Sequence, residues 1–194
     1  MAEKENTFDS EYIPALTNDW TIGMLPGPQP TGEYLKPEYL TTLTESEYVV
    51  NFNSARTGVR LNGPIPEWVR EDGGEAGLHP SNIHDNAYAI GTLDLTGDQS
   101  ILLGPDGPSL GGFVCSVTTA KGELWKLGQL HPGDRVHFQL INLEQAAKLR
   151  EAQEKNIRQD YTKVCLPEPI PMDASYAVLA EGISDETEYK IRLD

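Results

Sequence analysis

The chain has 194 residues and a formal net charge of −15, from 30 acidic and 15 basic side chains. A surface of that sign repels phosphate backbones and anionic headgroups, which argues against nucleic acid and membrane as partners. The 38% of hydrophobic residues suffice for one core, and no apolar run approaches the roughly 18 residues of a membrane span.

Residues 1–47 read as an irregular N-terminal segment. The first twenty residues carry neither a basic nor an apolar leader region, so a cytoplasmic location is expected. Trp20, Ile22, Met24 and Leu25 resemble a strand in need of partners. The stretch LPGPQPTG at 25–32 excludes a helix interior or a central strand. Pro37 and Glu38 predict the start of a short helix running to Leu43.

Regular strand signals fill 48–141. Residues 48–52 and 59–61 flank a turn at 53–58, and 87–95 predicts a strand that turns at 96–99 into a second one at 100–103. A Gly/Pro loop at 104–108 precedes a buried strand at 112–118. A short helix is expected over 120–128, with Thr118 or Thr119 as its N-cap. The turn at 131–134 feeds 135–140, which alternates at period two. Short strands joined by glycine and proline turns predict a mainly β, barrel-like domain.

The character changes over 142–177. Asn142 and Gln145 have capping-box spacing ahead of a helix over 143–158, with Glu144–Lys148, Glu151–Lys155 and Glu154–Arg158 as favourable pairs. Its thin apolar face suggests a connecting helix, and the prolines at 167, 169 and 171 a stiff linker. Residues 178–194 end in an alternating run at 188–193, expected as the first strand of a missing second lobe.

Polar side chains crowd one stretch: Glu75, His79, Ser81, Asn82, His84, Asp85 and Asn86. No metal is expected there, because Pro80 breaks any helix that would align His79 with His84, and HExxH and cysteine pairs are lacking. Ser81, His84 and Asp85 lack the nucleophile elbow of a serine hydrolase. The glycine-rich 104–112 lacks the lysine of a phosphate-binding loop. Cys115 and Cys165 are the two cysteines, and Cys115 in its apolar run reads as a buried free thiol. The remaining amides and carboxylates suit a small, uncharged, amide-like ligand, and equally suit a turn held by Asx hydrogen bonds.

Several long motifs carry a resemblance: RTGVRLNGP at 56–64, GGEAGLHPSNIHDNAYAIG at 73–91, ILLGPDGPSLGGFVC at 101–115, and ELWKLGQL at 123–130 followed by PGD at 132–134. Together they closely resemble the carboxyltransferase region of urea carboxylase and of the fused urea amidolyase. More distantly the chain resembles the second subunit of allophanate hydrolase and a component of 5-oxoprolinase. One departure is Ser116, where the family usually has proline.

The resemblance implies a cyclophilin-like β-barrel lobe. Only its later half is expected over 48–141, an incomplete barrel with unpaired strand edges. It implies an enzyme part that moves the carboxyl group of carboxybiotin to urea, giving allophanate. Asn82 and Asp85 are implied as the substrate-binding and catalytic residues, Asn82 holding urea and Asp85 accepting from its amino group. Glu75, His79, Ser81, His84 and Asn86 would support the loop. The biotin cofactor would be carried elsewhere, since no methionine here adjoins a lysine. The implied partners are urea, biotin carrier and biotin carboxylase domains, and a second carboxyltransferase lobe. The alternatives are a non-catalytic remnant or small-ligand binding module, or a relative acting on guanidine or 5-oxoproline.

Overall fold

The computed structural model describes residues 14–71 and 73–158. Eight strands form the body: β1 Asp19–Pro26, β2 Glu47–Val50, β3 Gly58–Asn62, β4 Asn82–Ala87, β5 Thr92–Thr96, β6 Gln99–Leu103, β7 Leu110–Thr119 and β8 Arg135–Leu140. The three α-helices are α1 Tyr39–Glu45, α2 Leu124–Leu127 and α3 Leu143–Arg158.

Seven strands run in the order β1-β8-β2-β3-β6-β5-β7, and β7 pairs again with β1, so the ring closes; β4 lies outside it, paired to β7. Pairing is parallel between β1 and β8, where Trp20 faces Val136 and Ile22 faces Phe138, and antiparallel elsewhere. Alternation explains which side chains fill the barrel. In β8, Val136 and Phe138 are buried while Arg135 and Gln139 are exposed. Ile22, Met24, Leu93, Leu95, Val114 and Val117 meet them, and Leu35, Tyr39 and Leu43 pack against the same core.

The mainly β, barrel-like class is therefore the observed one, with three corrections. Among the described residues the ring has none of the open edges expected of an incomplete barrel. Segment 19–26, expected within an irregular region, supplies the closing strand. The strand expected over 87–95 is broken into β4 and β5 by Gly91, whose φ of +82° disfavours any L side chain; a Cβ there would also lie 2.5 Å from Leu124.

The seam between β1 and β7 is sewn by the segment that follows β7. The Ala120 N–H donates to the Gly23 carbonyl (2.9 Å), and the Gly23 N–H donates to Glu123 Oε2 (3.1 Å). Lys126 Nζ pairs with the same carboxylate and donates to the Thr21 carbonyl (2.7 Å). Trp125 packs edge-on against Trp20 (6.1 Å), whose indole N–H is taken by buried Asp134 (3.1 Å). Thr119 does not cap the next helix as expected: its hydroxyl donates to the Gly91 carbonyl (2.8 Å), and no side chain caps the Lys121–Glu123 turn or α2.

Helix α3 has the expected bounds, and its capping box forms in both directions, each bond 2.9 Å. Glu144 pairs with Lys148 as expected, and Glu154 meets Arg150. The proline-containing linker, Cys165 and the run at 188–193 lie outside the described residues.

Glu123→Ala is expected to destabilise the protein by about 3 kcal/mol, because it leaves Lys126 without its carboxylate and a buried N–H unpaired. Glu123→Gln, which keeps an acceptor for Gly23, should lose less. Denaturant unfolding measures both; a loss below about 1 kcal/mol for Glu123→Ala would remove the seam from its central place.

Candidate functional site

The polar stretch is a strand, not a loop, from Asn82 onward. Its anchor is Ser81, which has no exposed surface. The Ser81 carbonyl accepts from the Val114 N–H (3.0 Å), and its hydroxyl oxygen accepts from the Gly97 N–H (3.0 Å). His79 Nδ1 lies 3.0 Å from that hydroxyl and also accepts from the Ser81 N–H (3.2 Å). The other ring nitrogen, Nε2, lies 3.3 Å from Asp98. Trp68 stands edge-on to the ring and its indole N–H reaches the same carboxylate (3.4 Å).

Ser81, His79 and Asp98 thus share the composition of a hydrolase triad without its function. The serine is fully buried, with its hydroxyl engaged by His79 and Gly97. The set ties the β5–β6 turn to the start of β4.

Pairing of β4 with β7 then breaks. Asn82 faces Phe113 and Asn86 faces Gly111, four steps along β4 against two along β7. The surplus forms a bulge that turns Ile83 inward and leaves His84 and Asp85 outside, their side chains 88% and 77% exposed and 3.8 Å apart. The Asn82 N–H donates to the His79 carbonyl (2.8 Å), while its side-chain amide makes no hydrogen bond within the described residues. The Asn82 amide is thus left open among the described residues, and the Asp85 carboxylate faces the exposed His84 ring. The Asn86 amide donates to Gln29 Oε1 (3.4 Å), which also accepts from the Cys115 N–H (2.9 Å). Glu75 opens an exposed 3-10 turn, Glu75–Gly77, apart from these bonds.

Sequence reading missed Gln29, Tyr88 and Asp94. Asp94 sits between the core residues Leu93 and Leu95, the position where one acid interrupts an apolar strand. It is 4% exposed; Oδ2 accepts from the Thr96 hydroxyl (3.0 Å), and Oδ1 has no hydrogen-bond partner. Burial raises its pKa from 3.8 to about 6, against smaller opposing effects of Thr96 and Tyr88. Its cross-strand neighbour Cys115 is a free buried thiol, pushed up to about 12 by burial and by the Asp94 charge.

A separate apolar cavity of about 470 Å³ lies elsewhere, between Ser54–Arg56, the end of β6, α2 and Leu130; none of the seven polar residues expected as the site lines it. Among the described residues no group of His, Cys, Asp and Glu is arranged to hold a metal ion. No described helix is long and apolar enough to cross a membrane.

A protein module built as a closed barrel with a polar strand on its outer edge has close relatives of known kind. Residues 1–140 match the family model described as "Carboxyltransferase domain, subdomain A and B". The chain belongs to that family. It is 46% identical over 150 residues to urea amidolyase of Lachancea kluyveri, covering 76% of this chain and 8% of that protein. It is 40% identical over 164 residues to a putative urea carboxylase of Emericella nidulans, covering 84% and 13%. The crystal structure of Kluyveromyces lactis urea carboxylase superposes with a TM-score of 0.72 at 47% identity, covering 75% of this chain and 13% of that one. The chain thus spans only a small part of the length of these relatives.

A carboxyl that binds its proton more tightly folded than unfolded favours the folded state at low pH. Asp94 should therefore make stability fall by up to about 3 kcal/mol as pH rises from about 4 to 6. Asp94→Asn is expected to flatten that part of the stability profile and to be no less stable at pH 7. Melting curves across the range test this; an unchanged slope in the variant would assign the effect to other groups.

Proposed function

We propose that this chain forms one wall of a biotin-dependent carboxyltransferase site that carboxylates urea to allophanate. The observation that carries this reading is the open Asn82 amide and the solvent-facing Asp85 carboxylate on the β4 bulge, in a chain 46% identical over 150 residues to a urea amidolyase.

Urea offers one carbonyl acceptor and two amino groups. The Asn82 amide donates to the carbonyl, and the Asp85 carboxylate accepts from an amino group. Holding urea this way orients one nitrogen, and the carboxylate draws on its N–H as that nitrogen bonds to carbon. His84, 3.8 Å from Asp85, is placed to steady that carboxylate. Glu75, His79, Ser81 and Asn86 act on the scaffold.

The exposed β4 bulge does not by itself enclose biotin. Asp85 is open to solvent, and the 470 Å³ cavity is walled mostly by apolar side chains away from β4. The carboxyl group arrives on biotin borne by another domain or chain, and a second lobe closes the site. The cytoplasm is the expected setting.

In a reconstituted system holding this chain, a second carboxyltransferase lobe and a carboxybiotin donor, Asp85→Ala is expected to slow urea carboxylation about 100-fold or more. Asn82→Ala should chiefly raise the urea KM, as loss of a binding contact does. Carboxylation by Asp85→Ala at the wild-type rate would refute the assignment. Guanidine or 5-oxoproline as the better substrate would redirect it, and urea binding without carboxylation would leave a binding module.

A further inference from the structure

Between the register pairs Asn82–Phe113 and Asn86–Gly111, three residues of β4 stand against one of β7, and that one is Gly112. A Cβ on Gly112 would lie 2.9 Å from the Ile83 carbonyl oxygen and 3.2 Å from that of His84. Both obstacles are backbone atoms, so turning a side chain would not relieve the crowding. The bulge rests directly on the main chain of β7.

Gly111 makes room at the next position, where a Cβ would run into the Tyr88 ring. The ring can therefore lie across β7, and its hydroxyl oxygen accepts from the Phe113 N–H (2.9 Å). Phe113 stands opposite Asn82, where regular pairing stops, so Tyr88 supplies an acceptor at the interruption. Main-chain bonds hold on both sides of it. The Val114 N–H donates to the Ser81 carbonyl (3.0 Å), and the Tyr88 N–H donates to the Ser109 carbonyl (2.9 Å). Glycines weaken a strand interior, because they lose more backbone freedom and add no packing surface. Two in succession, in the strand that carries β4, answer a demand other than strand stability.

We infer that Gly112 and Tyr88 are positioning residues of the candidate site. Gly112 lets the Ile83 and His84 carbonyls settle against β7, and Tyr88 pins the far end of the bulge back onto Phe113. Together they set where Asn82 and Asp85 stand relative to each other. Both act through the strand and not on substrate. The link from that spacing to urea rests on the function proposed above.

Two measurements on Gly112→Ala and Tyr88→Phe test this. The first is NMR of the full 194-residue chain without urea. Gly112→Ala is expected to move the backbone amide signals of residues 82–86 and to leave those of β1 and β8 in place. Tyr88→Phe should lower the hydrogen-exchange protection of the Phe113 amide about tenfold, the equivalent of one hydrogen bond. The second is urea kinetics in the reconstituted system. A purely structural loss reduces the amount of active enzyme and leaves the urea KM unchanged, whereas misplaced ligands raise it. Each variant is expected to raise that KM about tenfold, and kcat should fall as well because Asp85 is displaced. Unmoved signals at 82–86 in Gly112→Ala, full protection of Phe113 in Tyr88→Phe, or a wild-type KM in either variant overturns the inference. Should Gly112→Ala fail to fold, Tyr88→Phe, which removes a single oxygen atom, decides. If the unsubstituted system does not carboxylate urea, the urea reading falls, and the NMR result by itself upholds or overturns the positioning.

Discussion

The barrel depends on how its first strand is held. β1 pairs along its length with β8 but meets β7 over only three positions, so the backbone of Gly23 would be stranded at the seam. The segment after β7 answers both its groups, Ala120 taking the carbonyl and the Glu123 carboxylate taking the N–H. A carboxylate buried at this depth is tolerable because Lys126 neutralises it and is itself held by the Thr21 carbonyl. The ELWK motif therefore works as a stitch: Glu123 and Lys126 close the ring, and Trp125 braces Trp20 beside it.

Closure of the ring frees β4 to be something else. β4 is not needed to complete the barrel, and its bulge places the Asn82 amide and the exposed Asp85 on the outer side of β7. It is anchored at one end by Ser81 and His79 and at the other by Asn86, Gln29 and Tyr88. Between the anchors lie Asn82, whose amide is unpaired among the described residues, and Asp85, whose carboxylate faces solvent and His84. A binding surface needs this division of labour, in which most of the polar residues hold position so that a few can act.

The chemistry proposed here also fits the charge of the surface. Urea is neutral, so a chain of net charge −15 neither attracts nor repels it, and recognition falls to short-range hydrogen bonds. Such a site is only as specific as its closure. Asp85 at 77% exposure must be shielded by further polypeptide before its hydrogen bonds can discriminate. That need agrees with how small a part of its longer relatives this chain represents.

What the amino-acid order determined by itself was local. Alternation marked β8, a two-residue turn marked the β5–β6 hairpin, and the Asn142–Gln145 pair marked the start of α3, because each signal lies within a few residues of its effect. The family resemblance singled out Asn82 and Asp85, while side-chain chemistry alone left their stretch divided between a ligand site and an Asx turn. Only the tertiary structure decided that this stretch is a strand, since its partner β7 lies about thirty residues away. It alone decided that residues 19–26 close the barrel, through a bond between Gly23 and Glu123 spanning 100 positions. It alone buried Asp94, whose polar side chain in an alternating strand would otherwise be assigned to solvent. Periodicity and caps act through neighbours in the chain. Closure, burial and the loss of a hydrogen-bond partner act through neighbours in space.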